Sequence, residues 1–160
     1  GSFIGGQLLR GAHHFANAIG HMVVQRDGHA CTCGRRGCFE TYANSQALLR
    51  YADGAWTSTT DLIAAAQRGD PVARRGVETH ADWVSTGALT LLNLLDPELI
   101  ILSGGLAQNN PLLVQRVAEQ LGLTSQTRTT RSTQVVASKL GYFGGVVGAV
   151  TIARTARSRL

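Results

Sequence analysis

All three cysteines of this chain fall within eight positions, in the run Cys31-Thr32-Cys33-Gly34-Arg35-Arg36-Gly37-Cys38, and His21 precedes the first of them by ten residues. This cluster limits what residues 21–40 can become. Cys31 and Cys33 are one residue apart, a poor spacing for a mutual disulfide, and three cysteines cannot all pair within one chain. Three thiolates and an imidazole suit tetrahedral zinc. Four protein ligands close the coordination shell, so a metal held by His21, Cys31, Cys33 and Cys38 is expected to be structural (Zn²⁺) rather than catalytic. Gly34 and Gly37 let the loop fold tightly enough for backbone amides to approach the sulfurs. Two other arrangements stay open on the residues alone: three free thiols, or one disulfide with a thiol left over. His29 competes with His21 for the fourth place, although the longer reach back to His21 closes a better chelate. His13 and His14 read as surface or pocket-rim residues.

The rest of the chain reads as one ordinary domain of 160 residues. A hydrophobic fraction of 44% with 16% charged residues fits a globular protein with a core and argues against disorder. No apolar run reaches the length of a membrane span. The net charge is +5, and fourteen of the fifteen basic residues are arginines, with mild clusters at Arg35-Arg36, Arg74-Arg75 and Arg154/Arg157/Arg159. These are scattered, without aromatic interleaving, and read as solvated surface rather than a nucleic-acid face. The chain opens on Gly1 rather than Met, so a cloning remnant or a cut from a longer protein is expected.

Along the chain, two short strands are predicted around Gly5-Gly6, a good two-residue hairpin turn. His21–Gly28 reads as another short strand ending in an Asp-Gly turn. A helix follows over 43–54, capped by Asn44 or Ser45 and ended by Gly54. A second is opened by Thr59 or Thr60 and stopped by Gly69-Asp70-Pro71. Val77, Ala81, Val84, Ala88, Leu91 and Leu95 then recur at steps of four and three. That spacing predicts one long helix from about Val72 to Leu95, stopped by Asp96-Pro97. Leu99–Leu102 is apolar without alternation and predicts a strand covered on both faces. It ends on Ser103-Gly104-Gly105. Asn110-Pro111 opens a helix to about Leu121, ended at Gly122. A strand within 132–141 and a small-residue helix over 144–156, suited to packing on a sheet, close the chain. The order is α/β. The opening β region looks too small for the helices that follow, and strands are expected to be missing at the N-terminus.

At Gly20-His21, Cys31 to Cys38 and Glu40 the sequence resembles the ROK family of sugar kinases and sugar-responsive repressors. The segments 8–14, 68–74, 93–107 and 145–153 are similar to that family in the same order, over nearly the whole chain. The resemblance implies the second lobe of an actin-like (ribonuclease H-like) sugar-kinase fold, spanning residues 1–160, with a zinc loop at 21–40 and a nucleotide-side strand-turn-helix at 98–121. It implies that His21 binds zinc through one nitrogen and touches the sugar through the other. Glu40 would accept a hydrogen bond from a sugar hydroxyl, and Gly104 and Gly105 would lie on the ATP side, with Mg²⁺ on the phosphates. The zinc would fold a loop with little core of its own and fix His21 and Glu40 as a rigid recognition edge.

Two departures from the family pattern stand out. The family carries Gly-Glu-Ile-Gly-His where this chain has Asn17-Ala18-Ile19-Gly20-His21, so Ala18 removes a carboxylate that binds sugar. The catalytic base and first phosphate loop of such kinases belong to the other lobe, and residues 1–160 alone are expected to be inactive. The function expected is therefore an ATP-dependent hexose or amino-sugar kinase once the first lobe is supplied. The alternative is the sugar-sensing and dimerising domain of a repressor whose helix-turn-helix precedes it. A third reading is a degenerate copy without activity. A cytoplasmic, self-associating protein is expected in either active case, with nucleic acid a partner only in the second.

Overall fold

The computed structural model describes residues 1–124 and 133–157. The basic tail at Arg159 and the start of the predicted last strand at Ser132 lie outside them. Two short strands, β1 (Phe3–Ile4) and β2 (Gln7–Leu8), pair antiparallel across Gly5-Gly6. Both glycines have positive φ, 57° and 75°, as the two-residue turn requires. After a 3-10 turn at Ile19–His21 come α1 (Glu40–Ala43), α2 (Ser45–Tyr51), α3 (Thr59–Gln67) and α4 (Pro71–Leu95). A parallel unit follows: β3 (Leu99–Leu102), α5 (Pro111–Thr124) and β4 (Gln134–Ala137), with Leu99 opposite Gln134 and Leu102 opposite Ala137. The helix α6 (Gly144–Arg157) closes the chain. The mixture is α/β, as expected.

The helix starts follow local chemistry. Asn44 Oδ1 accepts from the Ala47 amide at 2.8 Å, and Asp70 Oδ1 accepts from Val72 and Ala73 at 3.0 and 2.9 Å. Pro71 sits in the first turn of α4, where a missing N–H costs nothing. Asn110 caps α5 through Leu113 N. The cap of α3 is Ser58, one residue before the predicted threonines.

The helix α4 is the spine of the molecule. Its first half packs Ala73 and Val77 against Leu48 of α2, Ala52 just past its end, and Leu62, Ile63, Ala65 and Ala66 of α3. Its second half packs Ala81, Ala88 and Leu92 against Leu113, Val117 and Leu121 of α5, with Ile100, Leu102 and Val135 of the sheet alongside. Of the predicted apolar stripe Val77, Ala81 and Ala88 are buried while Val84, Leu91 and Leu95 are half-buried; Ala73, Gly76, His80, Ser85, Gly87 and Leu92 complete the buried face.

Several expectations need correction. His21–Gly28 is not a strand; only Val23 bridges, to Cys38, because the loop offers a partner at one position and then turns at Asp27-Gly28. The strand β3 is covered on one face: Ile100 and Leu102 face the helices while Leu99 and Ile101 are exposed. The helix α6 leaves Val146, Val147, Val150 and Ile152 exposed rather than packed. The helix α5 runs through Gly122 to Thr124. Among the described residues no helix is long and apolar enough to cross a membrane.

His80 is buried on the inner face of α4, and its Nε2 has no hydrogen-bond partner among the described residues. Burial lowers its pKa from the usual imidazole range, and a hydrogen bond to the Ala43 backbone opposes this only in part. The unfolded chain thus takes up a proton that the folded chain resists. The linked stability is full above the ordinary histidine pKa of about 6.5 and is lost as pH falls below it. Replacing His80 with Leu should flatten this acid limb. The check is the melting-temperature difference between His80→Leu and the parent, which should move in the variant's favour as pH falls from about 7.5 to about 5.

Candidate metal centre

The cysteine loop is built by backbone bonds to a few fixed points. Cys31 N donates to Arg35 O at 2.8 Å and Gly34 N to Cys31 O at 3.0 Å, closing the tight turn between the first two cysteines and the third. Gly37 O accepts from Val24 and Gln25, and Gly37 N donates to His29 O at 2.8 Å. A Cβ at position 37 would lie 1.7 Å from Gln25 O, so only glycine fits beside Cys38. On the other side, Ser2 Oγ donates to Asn17 Oδ1 at 2.7 Å and Asn17 Nδ2 to Leu9 O at 3.2 Å. Asn17 thereby ties the β1–β2 hairpin to the turn that presents His21.

The folding brings His21, Cys31, Cys33 and Cys38 together, with their ligand atoms all within 4.8 Å of one another. Cys33 Sγ lies 3.6 Å from Cys38 Sγ, and His21 Nδ1 lies 3.7 Å from Cys31 Sγ. Tetrahedral zinc, with bonds of about 2.3 Å to sulfur and about 2.0–2.1 Å to nitrogen, holds its ligands about 3.5–3.8 Å apart. The three thiols are free, and 3.6 Å is far beyond a disulfide. His29 stands outside the cluster, its ring 5.0 Å from that of Tyr42. His13 and His14 are exposed.

The thiols do not titrate alike. The Arg35 amide and guanidinium pull Cys33 down to about 6. Burial, and then the neighbouring thiols Cys33 and Cys31, push Cys38 up to about 12. Three thiolates this close repel one another, and the donor set needs a cation to ionise fully. The donors present fit a zinc ion in number, type and spacing.

Glu40 opens α1 at the edge of the cluster, half-buried, with Oε1 3.5 Å from Cys31 Sγ. It packs against Gly20, where a Cβ would lie 3.3 Å from its Cβ and from Oε2. Glu40 joins none of the ion pairs among the described residues, so Arg35 and Arg36 do not neutralise it. Ala18 is exposed beside a shallow apolar cavity of about 270 Å³ bordered by Ile19, Met22, Leu91, Leu94 and Leu95. Gly104, with φ 93°, turns the chain after β3, and its carbonyl accepts from Ala107 and Gln108. A Cβ at Gly104 or Gly105 would meet nothing within 4 Å, so this turn is open on its outer side.

Two residues in this region were not singled out from the sequence. Asn17 looked like a mere departure from a motif. Tyr42 carries no periodic signal, because its partners come from residues 28–29 and from Trp83 of α4.

The likeness to solved ROK sugar-kinase structures places the chain in the class of α/β proteins with the actin-like ATPase fold. Within that class the chain belongs to the ROK family, whose profile matches residues 1–156. It is 31% identical to a glucokinase of Streptomyces coelicolor, over 96% of this chain and 55% of that protein. It is 27% identical to a xylose repressor of Bacillus spizizenii, over 95% of this chain and 40% of the repressor. Among solved structures, a ROK family glucokinase from Streptomyces griseus in complex with glucose and AMPPNP superposes with a TM-score of 0.84 at 31% identity, covering 95% of this chain and 55% of that one. The chain therefore spans about half the length of the relatives it matches.

Proposed function

We propose that residues 1–160 form the C-terminal, sugar-facing lobe of a ROK-type ATP-dependent sugar kinase. In this reading His21, Cys31, Cys33 and Cys38 hold one zinc ion, and His21 and Glu40 form the sugar-recognition edge. The observation that carries it is the convergence of the four donors with the Glu40 carboxylate 3.5 Å from Cys31 Sγ. The zinc, with four protein ligands, supplies structure and charge and no open position for chemistry. Glu40 is the first residue of a helix and joins no ion pair among the described residues, which leaves its carboxylate available to a sugar hydroxyl. The open Gly104-Gly105 turn is the side on which ATP, with its Mg²⁺, would approach. The glucose and AMPPNP in the Streptomyces griseus relative favour a hexose and ATP as the pair. The base that deprotonates the attacking hydroxyl would come from outside residues 1–160.

One observation favours a second reading. Ala18 stands where the family's sugar-binding glutamate is expected, and a xylose repressor aligns over 95% of the chain. A sugar-sensing domain needs recognition without phosphoryl transfer. In the intact protein, ATP-dependent phosphorylation of glucose supports the kinase, and sugar-dependent release of DNA supports the repressor.

The test of the sugar edge is Glu40→Gln in the intact protein. A lost charge-assisted hydrogen bond costs about 1.5–3 kcal/mol, so glucose binding measured by calorimetry should weaken roughly ten- to hundredfold. Zinc content and melting temperature should stay near the parent's, because the residue joins no ion pair among the described residues. Restoring a carboxylate with Ala18→Glu should tighten binding. A Glu40→Gln protein that binds glucose as tightly as the parent removes Glu40 from the sugar edge.

A further inference from the structure

We propose that Tyr42 is the positioning residue of the metal loop: its hydroxyl fixes the turn at residues 25–29, and that turn fixes Gly37 and so Cys38. This rests on the reading of the four donors as a metal site. Tyr42 is 6% exposed, and its ring lies 4.3 Å from that of Trp83 on α4, tilted by 30°. Its carbonyl accepts from Tyr51 Oη at 3.0 Å. The ring is therefore seated on α4 while the backbone of the residue is tied to α2, two elements that belong to the helical core. From that seat its Oη accepts the His29 amide at 3.0 Å. The His29 carbonyl then accepts the Gly37 amide at 2.8 Å, one residue from Cys38.

The fit is tight. A Cβ at Gly28 would lie 2.0 Å from Tyr42 Oη, its nearest neighbour, and 3.0 Å from Gln25 Cγ and O, so the hydroxyl is the main occupant of the space a side chain at position 28 would need. The ring also engages His29 at 5.0 Å, which keeps that imidazole out of the donor cluster and leaves the place to His21. The loop between His21 and Glu40 has two isolated bridges and no strand of its own, so it has little else to set its shape. Partners that orient metal ligands from outside the coordination shell typically control affinity by ten- to hundredfold.

The experiment is a zinc titration against a competing chelator in the full-length protein, with melting temperatures recorded before and after complete chelation. Tyr42→Phe keeps the ring on Trp83 and removes only the hydroxyl. It should bind zinc ten- to hundredfold more weakly, while the chelated protein melts with the chelated parent. Gly28→Ala should weaken zinc binding by at least as much alone, and should cost less in the Tyr42→Phe background, where the nearest obstruction is gone and only the 3.0 Å contacts to Gln25 Cγ and O remain. Parental zinc affinity in Tyr42→Phe overturns the proposal. So does an equal melting loss with and without metal, which would make Tyr42 a prop of the core only, or an equal cost of Gly28→Ala in both backgrounds. A parent that takes up no zinc at all overturns the metal reading itself, a result distinct from a parent that binds tightly alongside an equally tight variant.

Discussion

Stripping the metal from the intact protein will disorder residues 21–40 and leave the helical core standing. The two apolar clusters are built from α2, α3, α4, α5 and the β3–β4 sheet, together with the turn that follows β3, and no residue of the cysteine loop belongs to either. Ordering twenty backbone residues costs about 1–2 kcal/mol each. Against this the loop sets two isolated bridges, a handful of backbone bonds and the burial of Cys31, Cys38 and Tyr42. A structural zinc contributes about 10–16 kcal/mol of apparent binding energy in small zinc domains, the largest favourable term available to this segment. Elemental analysis of protein purified without added metal should give one zinc per chain. After chelation, or in Cys38→Ser, amide exchange protection should vanish over 21–40 and persist in α3 and α5. Sugar binding should go with it, since His21 and Glu40 lose their fixed relation. Unchanged protection of the loop amides after complete chelation would show that the protein chain, not the metal, holds the site.

What could be read from the sequence was chemistry confined to a few neighbouring residues. Asn44, Asp70-Pro71 and Asn110-Pro111 mark helix starts because a cap is a bond to an amide two or three residues on. The stripe from Val77 to Leu95 marks α4 because a helical face repeats within one segment. The four candidate donors were visible because a set of three thiols and an imidazole suited to a metal has few substitutes, and the structure gathers them within 4.8 Å. Properties set by distant partners were not visible. Leu99–Leu102 is uniformly apolar, yet Ile101 is exposed and Ile100 half-buried, because coverage depends on what packs from outside the strand. His21–Gly28 has a strand's composition but pairs at one residue, because a strand needs a partner of equal length. Tyr42 gave no signal, since its role is set by Gly28, His29 and Trp83 meeting it from separate parts of the chain. Gly122 reads as a stop, but α5 continues through it because glycine weakens a helix without forbidding it.

The same substitution at two helical glycines should have opposite signs. Alanine in a helix interior is favoured over glycine by up to about 1 kcal/mol, through lower backbone entropy in the unfolded chain. At Gly122 on α5 a new Cβ meets nothing within 4 Å, so Gly122→Ala should gain most of that. At Gly87 on α4 the Cβ would lie 2.5–2.8 Å from three ring atoms of Phe39. The backbone that carries the ring is anchored. Phe39 N is held by Met22 O at 2.8 Å, and the residue stands between the donor Cys38 and Glu40. Overpacking of this kind costs about 1–3 kcal/mol, which exceeds the propensity gain. At about 2–4 °C per kcal/mol for a chain of this size, Gly122→Ala should melt a few degrees above the parent and Gly87→Ala a few degrees below. Gly87→Ala should also weaken zinc binding, because the displaced ring pushes on the loop at Cys38, while Gly122→Ala should leave it alone. A Gly87→Ala protein that melts at or above the parent and binds zinc equally well would mean that Phe39 is free to move, and that the metal loop is not seated on α4 at this point.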